Sequence, residues 1–468
     1  MSEQQTSEFV KKMKIENSFK SKILGCWMGK NIGGTLGAPM EWKREANDVT
    51  FYLQDLKGEP VPNDDLDIQL LWLTALEEYG PDLTVYDLAS VWQNYVTPHW
   101  AEYGNAKVNM RMGLVPPFSG INHNVYKDSC GAFIRSEIWA CIAPGDPHLA
   151  VKYAYNDAII DHGDGEGMYA EVFCAAVQSA AFIESDILKL IDIGMSYIPE
   201  DCGVAKAIRE VFEAHKKGLS PAETRDIVLK KHRGRAYGPI CEADIAKGFL
   251  EGRQGYDVPS NIAIIMMGLL YGEGDFSKTL CIAVNQGEDT DCTAATLGAL
   301  WGIIHGIEKI PSKWIEPIGT SIKTISLNLG DLFHGFGKGI AGDIENLTDR
   351  VITAAQMVAI RNGGDARDHV LSENYLDKVK EHKSWCLYCG NQEKFYRKVG
   401  CAFYETSDIK VTLQYAGGFY ILPGEKKKLK LYVENKRVIP AALNFKLYTE
   451  KNVNITPAEN MTAMVNHC

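Results

Sequence analysis

Three carboxylates fall within five residues in Asn63-Asp64-Asp65-Leu66-Asp67, immediately ahead of an amphipathic stretch. Acids this close repel one another, which costs stability unless positive charge sits among them. Taken alone, the run reads as a helix start, where Asn and Asp side chains bond free backbone N–H groups and complement the dipole. A second run, Gln286-Gly287-Glu288-Asp289-Thr290-Asp291-Cys292-Thr293, again places acids before an apolar helical pattern. On a turn, the i, i+2 spacing of Asp289 and Asp291 can converge two carboxylates on one cation. Oxygen ligands suit hard ions such as Mg2+ or Mn2+. Two such clusters facing each other would make a two-metal site, able to activate water and stabilise charge on a leaving group. A metal-dependent hydrolase is the expectation, and it requires a fold that brings the two runs together.

The elements that must do so read as helices. Ile68, Leu71, Trp72, Ala75 and Leu76 recur at the helical period after the first run. Leu297, Leu300, Trp301 and Ile304 do so after the second, stopping near Gly306 ahead of Pro311. Met168 to Ile183 is apolar on most sides and reads as a buried helix. Residues 18–365 are therefore expected to form one mainly α domain behind a polar tail, 1–17. Near residue 400 the period changes to two. Ile409, Val411, Leu413 and Tyr415 alternate with polar residues, as do Leu429, Leu431 and Val433, and Leu443, Phe445 and Leu447. Pro423-Gly424 and Asn435-Lys436 supply turns. The expectation is a β-sandwich-like domain over 401–468, reached through a linker or packing segment at 366–400. An immunoglobulin-type sandwich needs about 100 residues, so this one is expected to be incomplete, with an exposed edge.

Composition narrows the function. At 468 residues the chain exceeds the usual single domain, and 46% hydrophobic with 23% charged residues is ordinary for a globular protein. A net charge of -11 disfavours phosphate backbones and anionic membranes as partners, and the short Lys426-Lys427-Lys428 run reads as a solvated turn. The N-terminal stretch is polar, without the pattern of a signal peptide, and Ile262 to Tyr271 is too short to span a bilayer. Twelve cysteines without a regular framework suggest a reduced, cytoplasmic protein. Cys386-Leu387-Tyr388-Cys389, with Cys401 beyond it, lacks the four spaced ligands of structural zinc. Oligomeric state is left open.

Four segments in order resemble the ADP-ribosylglycohydrolase family, over roughly residues 20–320. The first is Gly33-Gly34-Thr35-Leu36-Gly37-Ala38-Pro39-Met40-Glu41, and the second is Asn63-Asp64-Asp65. The third runs from Gly131-Ala132-Phe133-Ile134-Arg135 through Asp157-Ala158 to His162. The fourth is Ala283-Val284-Asn285-Gln286-Gly287-Glu288-Asp289-Thr290-Asp291, continuing to Ile310-Pro311-Ser312-Lys313-Trp314. The resemblance implies an all-α helical bundle and hydrolysis of an ADP-ribosyl-like N- or O-glycosidic bond, with a small molecule or an ADP-ribosylated protein as substrate. It implies a dinuclear Mg2+ or Mn2+ centre held by Asp64, Asp65, Asp289 and Asp291, with Glu41 and Asp65 as catalytic carboxylates. It places Gly131 and Ala132 where backbone N–H groups wrap a diphosphate, and His162, Asn285 and Gly287 at the pocket wall. Read as residues alone, His162 is equally a hydrogen-bonded helix-end histidine, Gly33 and Gly34 serve helix packing, and Arg135 forms a structural ion pair.

Three positions depart from the family pattern. Asn63 stands where a threonine supplies an oxygen ligand, and its carbonyl is expected to do the same. Cys292 replaces another threonine, and a thiol is a soft ligand for Mg2+. The second metal site is therefore expected to be weaker, to use water there, or to borrow Thr293. Gly34 replaces an aspartate. A rival reading is a non-catalytic member that binds ADP-ribose or a related nucleotide, or serves a structural role.

Overall fold

Helix α1, Ser18–Gly37, opens where the Asn17 side chain accepts the Lys20 N–H at 2.9 Å. Gly25, Gly29, Gly33 and Gly37 repeat at i, i+4 and give it one face without side chains. The other helices that position the site are α2 (Asp64–Tyr79), α3 (Ala101–Arg111), α4 (Glu137–Ile142), α5 (Pro147–Ala158), α6 (Glu166–Ala180), α7 (Val258–Tyr271), α8 (Phe276–Asn285), α9 (Thr290–His305) and α10 (Ile344–Arg361). The bare face of α1 meets Thr290, Ala294, Gly298 and Gly302 of α9, backbone against backbone. A Cβ placed on Gly29 would lie 2.0 Å from the Gly298 carbonyl oxygen. Each glycine costs roughly 1 kcal/mol of helix propensity relative to alanine. Ile23, Leu24, Trp27, Met28, Ile32 and Leu36 of the same helix are all fully buried, and each large apolar side chain contributes about 1.5–3 kcal/mol. Burial therefore outweighs the propensity cost.

This is a computed structural model, which describes residues 7–234, 242, 246, 255–363, 372–381, 401–406, 408–415, 421–449, 453–456 and 460–466. The helical pattern read from the sequence is the one that folds. Ile68, Leu71, Trp72, Ala75 and Leu76 all lie buried on α2, and Leu297, Leu300, Trp301 and Ile304 on α9, which stops at Gly306 with φ 80°. The helix expected from Met168 is buried on nearly every side. The Cys386–Cys389 pair and most of the expected linker lie outside the described residues. Among the described residues, no helix is long and apolar enough to cross a membrane.

The chain divides into two units, Met1–Arg397 and Lys398–Cys468. In the second, β1 (Cys401–Glu405), β2 (Ile409–Tyr415) and β3 (Leu429–Asn435) form an antiparallel sheet in the order β1-β2-β3, with Val411 opposite Val433 and Leu413 opposite Leu431. A second pair, β4 (Ala441–Lys446) and β5 (Asn460–Val465), is also antiparallel. The expected sandwich is corrected to these two small sheets, and Leu447 lies past the end of β4. The physical reason is visible in burial: Leu429, Leu431, Tyr432 and Met464 are exposed. Alternation in a sequence reports a strand, not a layer that covers it.

Candidate metal centre

The α1–α9 seam sets the geometry of the site, because α1 runs directly into a short 3-10 turn, Ala38–Met40, that ends on Glu41. The first turn of α9 carries Asp291, and Thr290 Oγ1 donates to the Gly37 carbonyl at 2.8 Å. Helix α2 starts alongside, and its Asn63 donates from Nδ2 to Asp291 Oδ2 at 3.3 Å. The two acidic runs, 228 residues apart, thus meet at one place. One ligand atom each from Glu41, Asp289 and Asp291 lie within 4.8 Å of one another. The same holds for Asp65, Asp291 and Cys292, so Asp291 belongs to both groups.

Capping and cation binding are separated here residue by residue. Asn63 is the N-cap of α2, accepting the Asp65 N–H on Oδ1 at 2.8 Å. Its amide nitrogen faces Asp291. Asn63 caps α2 and bridges to Asp291 in this arrangement. Asp289 occupies the N-cap position of α9 yet makes no side-chain cap bond. Its Oδ1, Asp291 Oδ1 and Asp65 Oδ2 are buried without a hydrogen-bond partner among the described residues. Buried carboxylate oxygens left without donors are costly, and a divalent cation is the partner that would offset that cost. The donor set therefore fits metal ions.

Electrostatics point the same way. Burial, then Asp291, Asp64 and Asp65, push the Glu41 carboxyl up to about 9. Burial and Asp291 raise Asp64 to about 6, against the hydrogen bond from Tyr103 Oη at 3.1 Å. Asp65 and Asp289 are held well above the usual carboxylate range by burial and by Asp291; for Asp65, Lys30 pulls the other way. Lys30 is itself buried and pairs with Glu137 at 3.2 Å. One ammonium cannot neutralise five clustered carboxyls.

The other residues named from the sequence are held by internal contacts. His162 is fully buried, with Nδ1 2.9 Å from Asp161 and Nε2 3.2 Å from Ser129 Oγ, so both ring nitrogens are engaged inside the protein. Asn285 grips Val49 at both ends, accepting its N–H at 2.6 Å and donating to its carbonyl at 3.1 Å. Gly287, at φ 77°, passes so close to the Lys43 and Glu45 carbonyls that no side chain fits. Together with reciprocal backbone bonds between Trp42, Lys43 and Glu288, these fasten the segment after Glu41 to the turn before α9. Arg44 adds ion pairs of 3.0 Å to both Glu288 and Asp257. Gly131 and Ala132 are buried, and a Cβ on Gly131 would strike the Glu102 carboxylate. Arg135, fully buried, binds Asp157 at 2.8 Å, Asp161 at 2.6 Å and the Gly131 carbonyl at 2.6 Å, the ion pair read from the sequence. Gly33 packs against Ala294, and at Gly34 a side chain would meet the Asn63 amide, which fills that space. Thr293, the alternative oxygen, is buried and donates to the Thr290 carbonyl.

Four residues near the site carried no sequence motif: Tyr103 on Asp64, Lys30 near Asp65, Asn261 accepting the Asp289 N–H at 3.2 Å, and Cys130, which feels the charge of Asp289. Only the adjacency of Cys130 to Gly131 hinted at any of them.

A family model described as ADP-ribosylglycohydrolase matches residues 15–361. A solved structure titled ADP-ribosylglycohydrolase-related protein complex is 18% identical, at a TM-score of 0.44, covering 73% of this chain and 99% of that one. No curated protein matches in sequence. The match spans the helical unit from α1 through α10, both acidic runs included, and the chain belongs to the ADP-ribosylglycohydrolase family.

Proposed function

We propose that this chain is a metal-dependent hydrolase that cleaves an ADP-ribosyl-like N- or O-glycosidic bond, using a dinuclear divalent centre. The observation that carries the reading is the pair of three-residue groups sharing Asp291, whose buried carboxylate oxygens lack donors. Glu41, Asp289 and Asp291 would hold one ion, a Mg2+ or Mn2+ by the hardness of its ligands. Asp65 and Asp291 would hold the other, with Asp64 beside them. Divalent ions held there would supply positive charge and lower the pKa of a bound water. Glu41, beside the acidic cluster that raises its carboxyl, is the candidate to hold or move a proton on the attacking water. Tyr103 orients Asp64, and the ties from Asn285 and Glu288 hold Glu41 in place. Orientation of this kind is a large part of catalytic power.

The test is thermal melting of chelator-stripped protein with Mn2+, with ADP-ribose and with both, followed by an assay for ADP-ribose release from ADP-ribosylated protein. A ligand at 100 times its Kd stabilises by about 2.7 kcal/mol, so metal and ADP-ribose together should raise the melting point by several degrees. Asp289→Asn should abolish release. Binding without release in the wild type would replace the enzyme with a binding protein. Identical melting with and without metal and nucleotide would remove the proposal altogether.

A further inference from the structure

The two cation positions are not chemically alike. The group of Glu41, Asp289 and Asp291 offers only carboxylate oxygens, whereas that of Asp65, Asp291 and Cys292 includes a thiol. Cys292 Sγ lies 3.4 Å from Asp65 Oδ1 and donates to it, so the sulfur already faces the carboxylate with which it would share an ion. Asp65, only 1% exposed, keeps its second oxygen without any partner among the described residues. Thr293, which could have supplied a hard oxygen, is turned into its own helix. Asn63 Oδ1 accepts the Asp65 N–H in the α2 cap. The ligand atoms that converge at this position are two carboxylate oxygens and one sulfur. Thiolate favours borderline and soft cations and disfavours Mg2+.

Resting on the dinuclear reading above, we propose that the centre is mixed: a hard ion at Glu41, Asp289 and Asp291, and a borderline ion such as Zn2+ at Asp65, Asp291 and Cys292. On binding, the Cys292 S–H proton leaves for solvent and a sulfur–metal bond forms, without any change of oxidation state. This reverses the expectation that the thiol merely weakens the second site. It weakens it for Mg2+ and strengthens it for Zn2+.

Co2+ titrated into chelator-stripped full-length protein tests this, followed by absorption. Thiolate ligation gives sulfur-to-cobalt charge transfer in the near ultraviolet, and carboxylate ligation does not. One Co2+ equivalent should produce the band, and Cys292→Thr should lack it while still taking up two ions. In a weakly buffered solution, Zn2+ uptake should release one proton more from the wild type than from Cys292→Thr. Preference for Zn2+ over Mg2+ at this position should fall at least about 100-fold in the variant. Two bound Co2+ ions with no charge-transfer band would overturn the thiol assignment and leave the dinuclear reading standing. Failure to bind any ion would overturn both.

Discussion

Substituting Gly29→Ala tests whether the α1–α9 seam is as tight as its backbone contacts require. The added Cβ would sit 2.0 Å from the Gly298 oxygen and 2.5 Å from its carbonyl carbon. A carbon–oxygen contact settles near 3.3 Å, so the helices must part by about 1.3 Å at this point. Neither obstruction is a side chain that can swing away. Overpacking of a core costs about 1–3 kcal/mol, and backbone on both sides places this site at the upper end. Alanine returns about 1 kcal/mol of helix propensity, leaving a net loss of about 2 kcal/mol. With a urea dependence of about 2–3 kcal/mol/M, the midpoint followed by far-ultraviolet circular dichroism should fall by about 0.7–1 M. The helices carry Glu41 and Asp291 at their touching ends, so metal affinity should fall as well. Gly330→Ala is the control: its Cβ meets nothing nearer than 3.7 Å, and the substitution should be neutral or mildly stabilising. If Gly29→Ala melts and binds metal like the wild type, the helices are not in backbone contact and the account of the site's geometry fails.

Arg135→Met should destabilise by about 3–5 kcal/mol, because Asp157 and Asp161 are left buried without their cation; equilibrium unfolding checks it, and Arg135→Lys should rescue little, since one ammonium cannot reach all three acceptors. Asp67 is raised to about 7 by burial despite accepting from the Ile325 and Ser326 N–H groups and the Ser326 hydroxyl. A carboxyl whose folded pKa exceeds its unfolded value binds its proton more tightly when folded, so its contribution is complete below about pH 4 and is lost as pH rises toward 7. Asp67→Asn should therefore flatten the decline in unfolding free energy between pH 5 and pH 8, by up to about 2.7 kcal/mol, two pH units at about 1.36 kcal/mol each; an unchanged slope would refute the assignment. Asn285→Ala removes both bonds to Val49 and should cost about 1–3 kcal/mol, with faster proteolysis between residues 41 and 49 and weaker metal binding.

Much of this was legible in the sequence, and the limits are physical. The apolar period of α2 and α9 reports burial on a face, so Trp72 and Trp301 could be placed without a structure. The acidic runs could be named but not assigned between capping and cation binding, since both need short acids at a helix start. Only the structure shows Asn63 spent on a backbone N–H and Asp289 left without one. Tyr103 and Lys30 reach the site without any motif of their own, because a contact across 35 residues or more leaves no local period. Asn285 and Gly287 fasten a loop beside the centre, a role that no motif in the sequence announces. In the C-terminal unit the alternation at Leu429 and Leu431 was read correctly as strand and incorrectly as one half of a sandwich.

The glycine seam also has a consequence for how the protein is made. Helix α1 is synthesised well before its partner, because the surface it needs, from Thr290 through Ala294 and Gly298 to Gly302, lies on a helix that ends at His305. At a synthesis rate of about 5–20 residues per second, the delay between completing the two is on the order of tens of seconds. Through that interval the glycine face of α1 has no α9 to lie against, and a glycine-rich helix has little propensity to hold its shape alone. The nascent chain thus carries an apolar helix awaiting a partner made much later, so the seam closes only after α9 is complete.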